Sequence, residues 1–417
     1  MSETGSGPLA GIRIIDLSTV IMGPYASHIL ADLGADVIKV ETPEGDPYRH
    51  YKPQRSHAMN GAVLNLHRNK RSVLLNILEP EGQQALDALV RTADVFMHNL
   101  RPRVIAKLGY DYPRVRALRP QVVYCGAYGF GAAGPYRDKP AYDDMIQAGS
   151  GIAALYDEIH GAPQYVPSVI YDKLSGQAIA YAILAGVVKA SRSGEGSEIE
   201  VPMYETAVEF NLVEHTSGSA FVPPLGRMGA PRVLTARRKP YRTRDGHVCI
   251  LPYSDRNWRD FFAYAGLDEC QSDPRFSTLA GRAEHADALY AYVEHAALTR
   301  TTSEWVEFGD RANVPCMAVV RLDQLTDDPH LREVGMFEVV DHPTEGSYLS
   351  IRPPVTFSGQ PFRIRHHAPR LGQDTAEVLR EAGLTPERAN ALAERARRLS
   401  SPTNTSDPAA AANETKA

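Results

Sequence analysis

The residue with the strongest claim to chemistry is Asp172, which stands between a strand-like run, Val166 to Tyr171, and a long apolar helix over 172–190. An aspartate that opens a helix is first an N-cap. It accepts backbone N–H bonds and faces the positive end of the helix dipole. Those N–H groups would also keep the carboxylate ionised, and an ionised carboxylate beside a cavity can attack an activated acyl carbon to form a covalent intermediate. The two roles are compatible, and local sequence leaves both open.

Other candidate motifs carry less. Gly129-Phe-Gly-Ala-Ala-Gly134 fits the GxGxxG spacing of a dinucleotide site and follows a predicted strand. That chemistry needs a helix N-terminus next, to bind a pyrophosphate. Here Pro135-Tyr-Arg-Asp-Lys-Pro140 follows, which reads as a loop. His366-His367 is an isolated pair without metal-ligand spacing. Arg227, Arg232, Arg237 and Arg238 lie in a Gly-, Pro- and Arg-rich crossover, Gly218 to Lys239, and read first as a solvated face; a second carboxylate on a substrate is the functional reading. GxSxG, GxxxxGK[ST] and HExxH motifs are absent.

The elements that must position these residues alternate. Gly11–Ser18, Ala35–Glu41, Ser72–Ile77, Val95–Leu100 and Val122–Tyr128 are short and β-branched, with helices such as Pro24–Leu33 and Gly82–Thr92 between several of them. Strands alternating with helices predict a doubly wound parallel sheet, an α/β fold. The 172–190 helix is apolar all round, as in a large core or an interface. A smaller α+β unit follows, opening on a hairpin, Tyr241 to Leu251, with Asp245-Gly246 at its turn. The expected layout is a large domain over 8–215 completed by 335–395, a small domain over 230–325, and a disordered tail over 398–417.

Length and composition bound the rest. The 417 residues suit two or three domains, and 43% hydrophobic with 23% charged residues is ordinary for a globular protein. Lys plus Arg number 45 against 50 Asp plus Glu, which lacks the basic excess of a nucleic-acid binder. Cys125, Cys249, Cys270 and Cys316 are scattered and read as reduced thiols. The opening MSETGSGPLAG shows no signal peptide, and the longest apolar run, Ala178 to Val188, is short for a membrane span. A soluble, cytoplasmic protein without a membrane partner is the expectation.

Many short matches then run in order along the chain. They include Pro8-Leu-Ala-Gly-Ile-Arg-Ile-Ile-Asp-Leu-Ser18, Gly23-Pro24, Leu33-Gly-Ala-Asp-Val-Ile-Lys-Val-Glu41 and Asn69-Lys-Arg-Ser72. Asn99 with Arg101-Pro102, Gly134-Pro135, Tyr171-Asp172, Asp328-Pro-His330 and Pro369-Arg-Leu-Gly372 continue the series. Together they resemble the class III CoA-transferases, whose branches include formyl-CoA transferase, carnitine CoA-transferase and α-methylacyl-CoA racemase.

The resemblance implies a Rossmann-like large domain, an interlocked homodimer, and Asp172 as catalytic nucleophile. The reaction it implies is acyl-CoA:carboxylate CoA transfer through aspartyl anhydride and aspartyl-CoA thioester intermediates. An acyl-CoA donor and a carboxylic acid acceptor are the partners, with a coenzyme A thioester as substrate and no tightly bound cofactor or metal. Ile21 and Met22 would line the thioester and pantetheine region. Leu75, Asn99, Leu100 and Arg101 would meet the nucleotide, Lys107 and Lys139 the phosphates, and Tyr142 would join the CoA site. An Asp with an ordinary pKa near roughly 3.9 would need no general base, and amides of the nearby glycine-rich loops would serve the oxyanions.

Two departures shape the expectation. Ile21 and Thr42 stand where formyl-CoA transferase has glutamine and arginine, and its tetraglycine loop has no counterpart in 205–260, so a larger or more apolar acyl group than formyl or oxalyl is expected. Tyr142 stands where the racemase branch has its histidine base, and a phenol is a poor base at neutral pH. A 2-methylacyl-CoA racemase and a non-catalytic CoA-binding protein are the alternatives.

Overall fold

The structure, a computed structural model, describes residues 7–399. The described residues form two compact units: one takes residues 7–146, Pro167–Ala207 and residues 333–399, the other Gln147–Val166 and Val208–Arg332. From residue 400 the expected tail lies outside the described residues.

The first unit is built on six strands: β1 (Arg13–Asp16), β2 (Asp36–Glu41), β3 (Lys70–Leu74), β4 (Val95–His98), β5 (Val123–Tyr128) and β6 (Ser197–Pro202). Their order is β3-β2-β1-β4-β5-β6, and every neighbouring pair is parallel. This is the doubly wound order, with the chain reversing direction between β1 and β4. Five of the strands were expected from their near-continuous apolar runs. The sixth was not, because Glu198 and Glu200 alternate with Ile199 and Val201, the pattern of an edge strand with one face uncovered.

Helices cover both faces. On one, α2 (Pro80–Arg91) sets Ala85, Leu86, Leu89 and Val90 against Ile15, Ile38, Val73, Phe96 and Tyr124. On the other lie α1 (Met22–Asp32) and the long α3 (Ile170–Ser193). The returning C-terminal segment protects the open edge: Ser72 N donates to Asp374 Oδ2 at 2.8 Å, and Asp374 N to the Ser72 carbonyl at 2.9 Å. Two helices then follow, α4 (Thr375–Glu381) and α5 (Pro386–Leu399).

As a whole, α3 is long and apolar enough to cross a membrane by length and composition, which the run Ala178–Val188 alone is not. In this fold it is a packing helix, and two glycines set how closely it packs. A Cβ at Gly186 would lie 2.6 Å from Val123 Cγ1, and one at Gly176 would lie 2.8 Å from the Met22 carbonyl oxygen and 2.9 Å from Tyr25 Cδ1. Gly176→Val should therefore push α3 off α1. We expect a loss of about 1–3 kcal/mol, read as a lower urea midpoint; an unchanged midpoint would count against this packing.

The core of the first unit also holds buried histidines. His98 Nδ1 accepts from Leu100 N at 3.2 Å, so Nε2 carries the proton toward the Tyr124 hydroxyl at 2.8 Å. Burial pushes His98 down to about 3 and His28 down to about 4; it pushes His67 down too, with Lys70, Lys39 and Arg49 adding to the effect. All three bind fewer protons folded than unfolded. Their contribution is intact above about pH 6.5 and is lost progressively as pH falls toward 4. Urea midpoints measured from pH 7.5 to 5 should decline accordingly, and a flat series would exclude the histidines as the cause.

In the second unit, Tyr241–Arg242, His247–Ile250 and Cys316–Ala318 form a small antiparallel sheet. Asp245-Gly246 turns the first hairpin, with Gly246 N donating to Thr243 Oγ1 at 2.9 Å. Trp258, Phe261, Phe262, Tyr290, Trp305 and Phe308 fill its core. All four cysteines of the chain are free thiols.

Candidate active site

Open α/β sheets take ligands beyond the carboxyl ends of their strands, where the strand order reverses. Here that place lies between β1 and β4, and the loops leaving them are tied across it. Thr19 N donates to Asn99 Oδ1 at 3.0 Å, and Asn99 Nδ2 to the Thr19 carbonyl at 2.8 Å. The next residue, Val20, has φ of 71°, a left-handed conformation that is strained for a β-branched side chain. Its N–H donates to Asp46 Oδ1 at 3.0 Å. Asp46 is buried against Lys39, 2.9 Å away, and Lys39 Nζ also donates to the Ser18 carbonyl at 2.7 Å. Burial alone would lower the Lys39 ammonium, but Asp46, with Asp16 and Glu41 behind it, holds it above its ordinary value. A buried ion pair thus fixes the strained loop that carries Ile21 and Met22.

Asp172 approaches this loop from α3. It sits in the helix's first turn, one turn before Gly176, and the close approach of Gly176 to the Met22 carbonyl brings that turn to the loop. The N-cap is Val169, whose side chain makes no cap bond, and residues 166–169 form no strand. The expected capping role of Asp172 is therefore corrected. Asp143 supplies it instead: its Oδ1 accepts from Tyr171 N at 2.7 Å and from Asp172 N at 2.9 Å.

The protonation of Asp172 changes with that arrangement. Its own carboxyl group gains none of the stabilisation that a capping residue enjoys. Burial, then the charge of Asp143, push it up to about 7, against a small opposing pull from Lys173. Tyr48, whose amide is capped by Asp46 Oδ1 at 2.9 Å, is close enough that the Asp172 charge helps raise its phenol, after burial and Tyr51.

The glycine-rich loop does not bind phosphate through the amides that its spacing suggests. Gly131 N donates to Glu205 Oε1 at 3.0 Å and Ala132 N to Glu200 Oε1 at 2.6 Å, while Gly134 N bonds the Gly131 carbonyl. Two of these amides are therefore taken by carboxylates and a third by a backbone carbonyl, so those three do not offer an N–H to an oxyanion. At the start of α1, by contrast, the N-cap Ile21 makes no side-chain cap bond.

A family model described as CoA-transferase family III matches residues 9–375. The chain belongs to CoA-transferase family III. A succinate–glutarate CoA-transferase of Agrobacterium fabrum is 31% identical over 385 residues, covering 90% of this chain and 95% of the relative. A formyl-CoA:oxalate CoA-transferase of Escherichia coli is 28% identical over 412 residues, covering 93% and 98%. Among solved structures, a CAIB/BAIF family protein from Brucella suis superposes with a TM-score of 0.76 at 27% identity, covering 91% of this chain and all of that one.

The structure places the residues expected at a CoA site of this family III enzyme as follows. Ile21 and Met22 are buried at the head of α1, and Asn99 ties that loop to β4. Leu100 packs half-buried on the core, and Arg101 Nη1 donates to the Asp138 carbonyl at 3.0 Å. Next come Lys139, whose Nζ lies 3.7 Å over the Tyr136 ring, then exposed Tyr142, and Asp143 with its bonds to the Asp172 turn. Leu75 and Lys107 stand apart. Leu75 is buried in the core two strands from β1, beside a cleft closed by Leu392, Arg395 and Leu399 of α5, and Lys107 is exposed at the end of the short helix Pro102–Lys107.

Sequence reading missed Tyr48, Asp46 and the capping role of Asp143. The first two had no motif to mark them. The third had one signal, an Asp directly after Tyr142. Among the described residues no group of three or more His, Cys, Asp or Glu is placed to hold a metal ion.

Proposed function

We propose that this protein is an acyl-CoA:carboxylate CoA-transferase in which Asp172 carries the acyl group and then CoA. The observation that carries the reading is the placement of the Asp172 carboxylate in the first turn of α3, against the Ile21–Met22 loop at the reversal point of the sheet.

The chemistry balances at each step. An Asp172 oxygen attacks the thioester carbon, the C–S bond breaks, and CoA leaves as thiolate with an aspartyl anhydride behind. The thiolate attacks the aspartyl carbonyl, which releases the donor's acid as carboxylate and leaves an aspartyl-CoA thioester. The acceptor carboxylate attacks that thioester, giving a second anhydride and thiolate. Attack of the thiolate on the acceptor's acyl carbon forms the new thioester and restores Asp172. No proton need be gained or lost overall, so a carboxylate nucleophile suffices without a general base. Backbone N–H groups at the uncapped start of α1, beside Met22, are the donors we assign to the oxyanions.

The 31% identity to a succinate–glutarate enzyme, with Ile21 and Thr42 differing from the formyl-CoA transferase pattern, favours a multi-carbon acid over formate or oxalate. Tyr142 is 67% exposed and lies where a racemase needs a base, which supports transfer over racemisation. We assign the face of α3 that leaves Tyr181 and Val188 exposed to a second copy of the chain, as in an interlocked homodimer.

The test is trapping. Incubation with a panel of acyl-CoA thioesters and hydroxylamine should mark Asp172 as the hydroxamate, identified by peptide mass spectrometry. Exchange of CoA between acids without any such adduct would sink the covalent route.

A further inference from the structure

The arginines of the crossover have separate fates. Arg237 pairs with Glu294 at 2.8 Å and Asp287 at 3.4 Å, and Arg227 lies 3.7 Å from Glu158. Arg232 has no carboxylate within ion-pair distance among the described residues. It turns instead into a small, open cleft of the second unit, with its guanidinium 4.8 Å over the ring of Tyr253.

The cleft is aromatic below and basic at the side. Trp258 and Tyr290 are buried in it, while Tyr253 and Leu279 form an exposed rim. A second guanidinium, that of Arg282, lines the same space and is only 6% exposed. Two of its nitrogens are used, Nη1 by the Phe276 carbonyl at 2.9 Å and Nη2 by Asp255. Its buried Nε has no partner among the described residues. Asp255 offsets the charge of Arg282, so Arg232 is the uncompensated cation. A buried N–H left unpaired is costly, and a guanidinium pair with flat apolar walls suits one planar anion.

We propose that this cleft binds a small organic carboxylate with a planar or short apolar body, its oxygens on Arg232 and Arg282 and its body against the exposed Tyr253 and Leu279. A cleft this small excludes a nucleotide-sized ligand. The acid is either the acceptor substrate or a separate effector, and both present the same chemistry.

The probe is benzoate, with neutral benzamide as its isostere, titrated calorimetrically into the full chain. Benzoate should saturate one site per chain and bind at least roughly tenfold more tightly than benzamide. Arg232→Gln should weaken benzoate by about tenfold and leave benzamide unchanged, whereas Arg256→Gln, a 77% exposed arginine outside the cleft, should change neither. Arg232→Lys, which keeps the charge and loses the planar fork, should fall between. Equal affinity for benzoate and benzamide, absence of saturable benzoate binding, or identical effects of the Arg232 and Arg256 variants would each overturn the site.

The source of the acid is read in the transfer assay. A raised KM for the acceptor with kcat kept assigns the cleft to substrate, and an unchanged KM assigns it to an effector. Binding of benzoate does not involve Asp172, so the Asp172→Ala protein should bind it normally even if the covalent mechanism fails.

Discussion

Asp172→Ala should lower the exchange of CoA between carboxylic acids by at least about 10⁴-fold, roughly 5 kcal/mol of barrier, while leaving the fold intact. The size follows from the number of bonds routed through one group. On the proposed route Asp172 would be acylated, thioesterified, acylated again and released in a single turnover. Asp143 is the nearest candidate to replace it, yet its Oδ1 is committed to two backbone amides. Stability should move the other way. Since Asp172 is pushed up to about 7, its folded form binds protons more tightly than its unfolded form. The stability from this group is present below about pH 4 and is lost as pH rises through 7. Asp172→Asn should therefore raise the urea midpoint more at pH 8 than at pH 5, a readout independent of catalysis. An inactive variant with no such gain would mean the carboxylate is not held at a cost; an active one would end its role as nucleophile.

How much of this was legible in the residues differs between sheet and site. Five strands announce themselves because a sheet covered on both faces needs continuous apolar runs such as Ile14–Ile15 and Val37–Ile38, and their parallel direction follows from alternation with helices, whereas the strand order came only with the structure. Edge strand β6 was hidden by Glu198 and Glu200, which are not buried. The position of Asp172 beside the Ile21–Met22 loop depends on Gly176, a residue that looks like any small residue in an apolar helix until its missing Cβ is set against the Met22 carbonyl. The assignment of caps failed for a related reason. An Asp near the start of a helix satisfies the N-cap preference on paper, but the amides were already bonded to Asp143, 29 residues upstream in the chain. Cavities such as the one lined by Arg232 and Arg282 are likewise assembled from distant segments and have no local signature.

Asp143→Asn should shift the acid limb of the rate–pH profile downward by about one unit. On the proposed mechanism only the carboxylate form of Asp172 would attack, so transfer in the parent enzyme should rise with pH and level off above about 7. Asparagine keeps an oxygen where Asp143 Oδ1 accepts from Tyr171 N and Asp172 N, so the first turn of α3 keeps its cap; what disappears is the negative charge beside Asp172. Burial still raises Asp172, which is why the limb moves without returning to the ordinary aspartate range. The variant should gain activity at pH 6, where more of its Asp172 is ionised. Above pH 8 it should lose some, because a less basic carboxylate is a weaker nucleophile. Asp143→Ala removes cap and charge together and should also depress the plateau, since the turn that carries Asp172 loses two hydrogen bonds. If the Asn and Ala variants share one unshifted profile and differ only in stability, Asp143 is a structural cap and nothing more. A profile that moves with Asn while the urea midpoint stays put identifies it as the residue that sets the basicity of the nucleophile.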